Sequence, residues 1–168
     1  CTALTSISIP SSVTSIGENA FSGCYALTRI DIPDTVISIE EYAFSGCSSL
    51  TAMTIPGSVA SFGSNIFAGC TSLKSVELSE GVTSIPENAF QECGSLTSII
   101  VPESVTSIGS GAFRDCESLI SFTIPSSITS VEASTFAGCS SMTSINIPNS
   151  VTTIGDYAFS GCSSFSNF

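Results

Sequence analysis

The sequence predicts a repeat solenoid. Three observations carry that expectation: a cysteine every 23 residues, a fixed set of apolar slots between successive cysteines, and a proline that closes a short alternating segment in almost every copy. Cysteine opens each copy at Cys1, Cys24, Cys47, Cys70, Cys93, Cys116 and Cys139, and Cys162 begins an eighth that stops after seven residues. Each copy of such an array contacts only its neighbours, so length counts turns rather than domains. The expected organisation is one domain over 1–168, with repeats at 1–23, 24–46, 47–69, 70–92, 93–115, 116–138 and 139–161 and a partial one at 162–168.

The first copy shows the elements in order. Its apolar slots are Cys1, Leu4, Ile7, Ile9, Val13, Ile16, Ala20 and Phe21. Slots seven and nine alternate with polar residues and are β-branched in most copies, as in Ser6–Ile9 and Ser144–Ile147, which predicts a short strand with one face inward. Pro10, Pro33, Pro56, Pro102, Pro125 and Pro148 then end the strand, because proline cannot donate to a ladder. A second extended piece follows at Val13–Ile16. Gly17, Gly63, Gly109 and Gly155 turn the chain, and an acid often comes next, at Glu18, Glu41, Glu87 and Asp156. An acid suits the positive start of a short helical turn, so the Ala-Phe pair is expected to ride on one. Phenylalanine holds the twenty-first slot at Phe21, Phe44, Phe67, Phe90, Phe113, Phe136 and Phe159, as core rather than as a ligand platform. In the twelfth slot Ser12, Thr35, Ser58, Ser104, Ser127 and Ser150 read as a hydroxyl ladder that satisfies backbone groups between turns.

Composition narrows the function classes. With 42% hydrophobic and 10% charged residues, the chain has material for a core and little tendency to disorder. Fourteen acidic residues against three basic ones give a net charge of −11, which disfavours nucleic acid and anionic lipid, since both require clustered Lys and Arg. No window of about 18 apolar residues could span a bilayer. The chain opens at a repeat boundary, without Met, signal peptide or polar cap, and solenoids need caps. The expectation is therefore a piece of a longer protein whose targeting information lies elsewhere.

The cysteine count follows from the repeat. Stacked turns about 4.8 Å apart lie within disulfide reach, but parallel side chains aim past one another, so buried free thiols acting as small hydrophobes are expected. With no His and no close Cys pair, no metal site and no cofactor are expected. Nor is catalysis: there is no Gly-rich phosphate loop, no nucleophile elbow and no base beside the cysteines.

The pattern L-x-x-I-x-I-P, with its polar ladder and a closing A-F-x-G-C, resembles the BspA-like leucine-rich repeats over all 168 residues. Its departures are Ser79 in the proline slot, Pro86 in the glycine slot, and Glu92 and Asp115 in the last slot. The resemblance implies a curved, right-handed leucine-rich-repeat array with short parallel β-strands on its concave side. It also implies cell-surface or secreted proteins of bacteria and some protists that attach to matrix proteins, host cells or other microbes.

Slots five, six, eight and eleven should project from the strand side. They are mostly Ser and Thr, and the exceptions make the candidate binding patch: Arg29, Asp31, Asp34, Lys74, Glu77, Glu80, Ile100 and Glu103, with Ile120 beside them. Glu80 and Glu103 would stack one turn apart as a like-charge pair, at a cost of up to about 1 kcal/mol. Calcium at Glu77, Glu80 and Glu103 is the cation alternative, without an Asp-rich loop to support it. The function expected is a non-enzymatic protein-interaction module in adhesion or recognition. The competing expectation is a scaffold or assembly subunit held by other subunits of its own complex. A third, an ice-binding column of Thr5, Thr28, Thr51, Thr97 and Thr143, is interrupted by Lys74 and Ile120.

Overall fold

The computed structural model describes Cys1 and residues 3–165. Each copy forms one coil of a parallel-strand β-solenoid, and most coils carry two short extended segments. The first copy contributes β1 (Ser6–Ser8) and β2 (Ser15–Ile16), the second β3 (Arg29–Asp31) and β4 (Ser38–Ile39), and the third β5 (Ala52–Ile55). The fourth and fifth contribute β6 (Ser75–Leu78), β7 (Ser84–Ile85), β8 (Ser98–Ile100) and β9 (Ser107–Ile108). The last two contribute β10 (Ser121–Thr123), β11 (Ser130–Val131), β12 (Ser144–Asn146) and β13 (Thr153–Ile154). Pairing is parallel with partners 23 residues apart, as in Ile7 with Ile30 and Val76 with Ile99.

The apolar slots meet in one continuous core. Leu27, Leu50, Leu73, Leu96, Leu119 and Met142 are buried, as are the slot-13 residues Val36, Val59, Val82, Val105 and Ile128. The phenylalanines stack from Phe21 to Phe159 with centroids 5.3–5.6 Å apart and planes within 11°. Against a rung spacing of about 4.8 Å, such distances imply a lateral offset of about 2.5 Å, the displaced geometry aromatic faces prefer. Phe122 reaches across from β10 and lies 5.0 Å from Phe113 and 4.9 Å from Phe136, tying the strand side to the stack.

The helical turn expected around Ala-Phe does not form: among the described residues there is no helix. Slots 19 and 23 adopt left-handed backbone, at Asn19, Tyr42, Asn65, Asn88, Gly111, Ser134 and Tyr157, and at Gly23, Gly46, Gly69, Glu92, Asp115, Gly138 and Gly161. Left-handed residues interrupt an α-helix, and the chain makes short turns instead, closed by bonds such as Ser22 N–H to Asn19 O and Cys24 N–H to Phe21 O. The N–H groups of slots 19, 21 and 23 are thereby freed to donate to carbonyls of the following coil. From Asn19–Glu41 to Gly138–Ser160, every junction makes three such bonds of 2.7–3.1 Å. The acids of slot 18 therefore face no helix terminus.

The strand side is less continuous. It pairs as β1 with β3, β5 with β6, β6 with β8, and β10 with β12, leaving β3–β5 and β8–β10 unpaired. The tightest strand junction lies between the third and fourth copies, and the departures from the repeat explain it. Ser79 replaces proline and donates its N–H to Ile55 O at 3.0 Å. Gly57 and Gly81 let the two backbones close: a Cβ on Gly57 would lie 1.8 Å from the Glu80 carbonyl oxygen, and one on Gly81 2.5 Å from the Gly57 oxygen.

Two stability measurements follow. Phe90, fully buried between Phe67 and Phe113, should cost about 3–5 kcal/mol when truncated to Ala, read by chemical denaturation. Glu92→Gly should instead raise the melting temperature, because Glu92 holds φ 59° where most copies have glycine and left-handed backbone costs a residue with a Cβ about 1 kcal/mol.

Candidate functional site

The hydroxyl ladder forms as its spacing predicts. Thr35, Ser58, Ser104, Ser127 and Ser150 each donate to the slot-13 carbonyl of the preceding coil at 2.5–2.9 Å. In the fourth copy Gly81 takes the slot and offers its N–H to Ser104 Oγ instead. The slot-five column is also engaged: Thr28, Thr97 and Thr143 hydroxyls donate to the carbonyls of Thr5, Lys74 and Ile120.

The cysteines do more than fill space. All eight are free, and Cys24 to Cys139 are buried. Each thiol from Cys47 to Cys162 donates to a phenylalanine carbonyl 26 residues earlier, Cys47 to Phe21 O and Cys116 to Phe90 O among them, all at 3.2 Å. The same carbonyl accepts the N–H of the cysteine three residues on, as Cys24 does for Phe21 O. One oxygen therefore closes a turn and ties two coils. Burial pushes Cys47 up to about 11 and Cys139 to about 12, and holds Cys70, Cys93 and Cys116 well above the ordinary value of 9.0. The thiols stay protonated, which suits hydrogen-bond donors and rules them poor nucleophiles.

All nine sequence-predicted binding residues are exposed: Arg29, Asp31, Asp34, Lys74, Glu77, Glu80, Ile100, Glu103 and Ile120. Their partners differ. Arg29 lies along β3 against Asp31, with Nε and Nη2 within 3.2 Å of its carboxylate, both side chains about three-quarters exposed. Glu77 faces Thr54 on β5 and Ile100 on β8 in register. Glu103 does not stand free beside Glu80; its Oε2 accepts the Ser126 N–H at 3.1 Å and Oγ at 2.8 Å in the next coil. Those bonds give the acid a structural partner in the next coil. Among the described residues no three acidic, His or Cys side chains converge as a metal-ligand set. Ile100 is 63% and Ile120 52% exposed, beside the unpaired β8–β10 junction.

Two features escaped sequence reasoning. Ile37, 65% exposed, occupies slot 14, where Thr14, Thr83, Thr106, Thr129 and Thr152 stand in other copies. That contrast was available in the sequence. The second is a cavity of about 440 Å³ where β3 and β5 part, lined by residues 28–32 and 51–54. No residue type announces it.

Alkaline titration tests the thiol ladder. Folded pKa values above the ordinary one mean that folding retains protons, so stability is intact below about pH 9 and falls as pH rises through about 11 for Cys47 and 12 for Cys139. Thiol-reactive dye at neutral pH should label Cys1 and leave the buried thiols unmodified until denaturant is added.

The chain matches the family model for the BspA type leucine rich repeat region, in six copies, over residues 1–119 and 83–168. A leucine rich repeat protein from T. pallidum superposes with TM-score 0.93 at 30% identity, over 97% of this chain and 78% of that one. One from Eubacterium ventriosum gives 0.87 at 30% identity, over 98% of this chain and 44% of the other. A leucine rich cell surface protein from Faecalibacterium prausnitzii gives 0.61 at 35% identity, over 98% and 53%. None of the curated proteins matches the sequence. Leucine-rich repeat arrays are in general protein-interaction modules rather than catalysts, and with matched segments that together span its whole length this chain belongs to the BspA-type leucine-rich repeat family.

Proposed function

We propose that the chain is a non-enzymatic recognition module of a cell exterior, and that it engages a protein partner through its strand-side face in adhesion. The observation that carries this reading is the distribution of exceptions. Where other copies place Ser or Thr, Arg29, Asp31, Asp34, Lys74, Glu77, Glu80, Ile100 and Ile120 project, all exposed. The two isoleucines add apolar area of the kind that interface cores use, and the acids add steering and selectivity. The likeness to a protein described as a cell surface protein supports the location. A preformed repeat surface orders few side chains on docking, so many modest contacts yield usable affinity.

Purified protein offered an array of matrix and host-surface proteins should show saturable capture. Glu77→Lys with Glu80→Lys should weaken it by about tenfold or more, since reversed charges meet like charges on the partner. Capture unchanged by the double reversal would sink the face assignment. Recovery only with subunits of its own complex would instead favour the scaffold role.

A further inference from the structure

We propose that the array carries a hinge between its fifth and sixth copies, and that Glu103 is the latch across it. The hinge stands independently of the strand-face reading, because it follows from where backbone bonds cross between coils.

Outside the turns, adjoining coils are tied along two rows. The fourth–fifth junction shows both. Along the first row Thr97 N–H donates to Lys74 O and β6 pairs with β8; along the second Thr106 N–H donates to Thr83 O, β7 pairs with β9, and Gly109 N–H donates to Ile85 O. The sixth–seventh junction repeats the scheme, with Thr143 on Ile120, β10 with β12, Thr152 on Thr129, β11 with β13, and Gly155 on Val131. Between them, the fifth–sixth junction has neither row. Ile120, Thr129 and Glu132 make no such bond to Thr97, Thr106 and Ile108, and neither β8–β10 nor β9–β11 pairs. The gap between β3 and β5 is milder, since Thr51 N–H still reaches Thr28 O and Gly63 N–H still reaches Ile39 O.

The backbone bonds that do cross the fifth–sixth junction lie on one side. Gly111, Phe113 and Asp115 donate to Ala133, Thr135 and Ala137 at 2.7–3.0 Å in the turns, and Ser118 N–H donates to Gly94 O at 3.1 Å just past them. In the core, Phe122 fills slot seven, where other copies carry Ile, Met or Val, and its ring lies 5.0 Å from Phe113 of the fifth copy. Apolar contact has no fixed direction and tolerates a small change of angle, whereas a hydrogen bond weakens steeply as it bends. A junction bonded in the turns and held elsewhere by apolar contact can therefore flex about the turn-side spine, with the two flanking blocks moving as units.

Two side-chain links close the other side. Ser127 Oγ donates to Val105 O, as slot 12 does in most copies. The second is particular to this junction: Glu103 Oε2 accepts both the N–H and the Oγ of Ser126, at 3.1 and 2.8 Å, in an exposed position where the bonds can open. The carboxylate thus limits how far the seam parts. Ile100 stands on the fifth copy and Ile120 on the sixth, 63% and 52% exposed. A partner that covers both fixes the angle between the blocks, so the curvature of the strand face is adjustable at this one junction.

The test is electron paramagnetic resonance on the intact chain carrying Cys1→Ser and Cys162→Ser, with nitroxide pairs on exposed slot-six positions. Ser98→Cys with Ser144→Cys spans the seam over two rungs, and Ala52→Cys with Ser98→Cys spans two rungs inside the β5–β6–β8 sheet; both pairs are about 10 Å apart by rung spacing. The seam pair should give a distance distribution roughly twice as wide as the sheet pair. Glu103→Ser, which places in slot 11 the residue that Ser11 and Ser126 already supply there, should widen the seam pair further and leave the sheet pair unchanged. Glu103→Gln keeps an acceptor oxygen and should hold the seam pair near its original width. Equal widths for the two pairs would overturn the hinge. A seam pair indifferent to Glu103→Ser, or widened as much by Glu103→Gln, would overturn the latch.

Discussion

The contact on which this solenoid depends is the face-to-face stack of phenylalanines, together with the carbonyl that each one presents. Rings 5.3–5.6 Å apart set the pitch on one side of the coil. Around them, three backbone bonds per junction run from Asn19–Glu41 to Gly138–Ser160, and a thiol bond joins each junction from Cys47 onwards. The left-handed residues at slots 19 and 23 are the condition for this ladder, because they turn alternate N–H groups towards the following coil instead of into a helix. Backbone polar groups near the core are thus satisfied between coils, which is the demand burial makes of them.

With the pitch set on the turn side, the strands have latitude, and the irregular residues decide how it is used. Ser79 restores a donor where proline would lack one, and Gly57 with Gly81 allows close backbone approach, so β5 and β6 extend to four paired residues. Pro86 has the opposite effect. In four copies the slot-17 N–H donates to the slot-16 carbonyl of the preceding coil, as Gly63 does to Ile39 and Gly109 to Ile85. Proline has no N–H to give, and the Phe62 carbonyl is left without that bond. The same logic makes slot 12 tolerant of Gly81: the backbone N–H takes Ser104 as acceptor.

The period made the coil, the core slots and the free, stacked thiols legible in sequence, because each is repeated and each repetition is a separate vote. Features that belong to one junction were not legible. The gap between β3 and β5 has no residue signature. The column that holds Glu80 and Glu103 was legible, but the forward reach of the Glu103 carboxylate to Ser126 was not, because spacing shows the column and not the rotamer. The Ala-Phe segment misled for a different reason. An acid ahead of an apolar pair is a helix-start signal, but the signal does not count hydrogen bonds with the next coil, and three per junction outweigh one short helical turn.

A separation of labour follows from where the constraints fall. The cysteine slot asks for a side chain small enough to be fully buried that still donates one weak bond to the phenylalanine carbonyl. Alanine would leave that bond unmade, and serine would place a more strongly hydrated hydroxyl in the core. Apart from Gly57 and the slot-five threonines whose hydroxyls tie neighbouring coils, slots 5, 6, 8 and 11 face no such demand, since they project from the strands. Arg29, Lys74, Glu77 and Ile100 can therefore replace Ser or Thr without touching the stack, and the face can change while the spine stays constant. That independence is what a recognition array requires: its stability resides in slots that cannot vary, and its selectivity in slots that can.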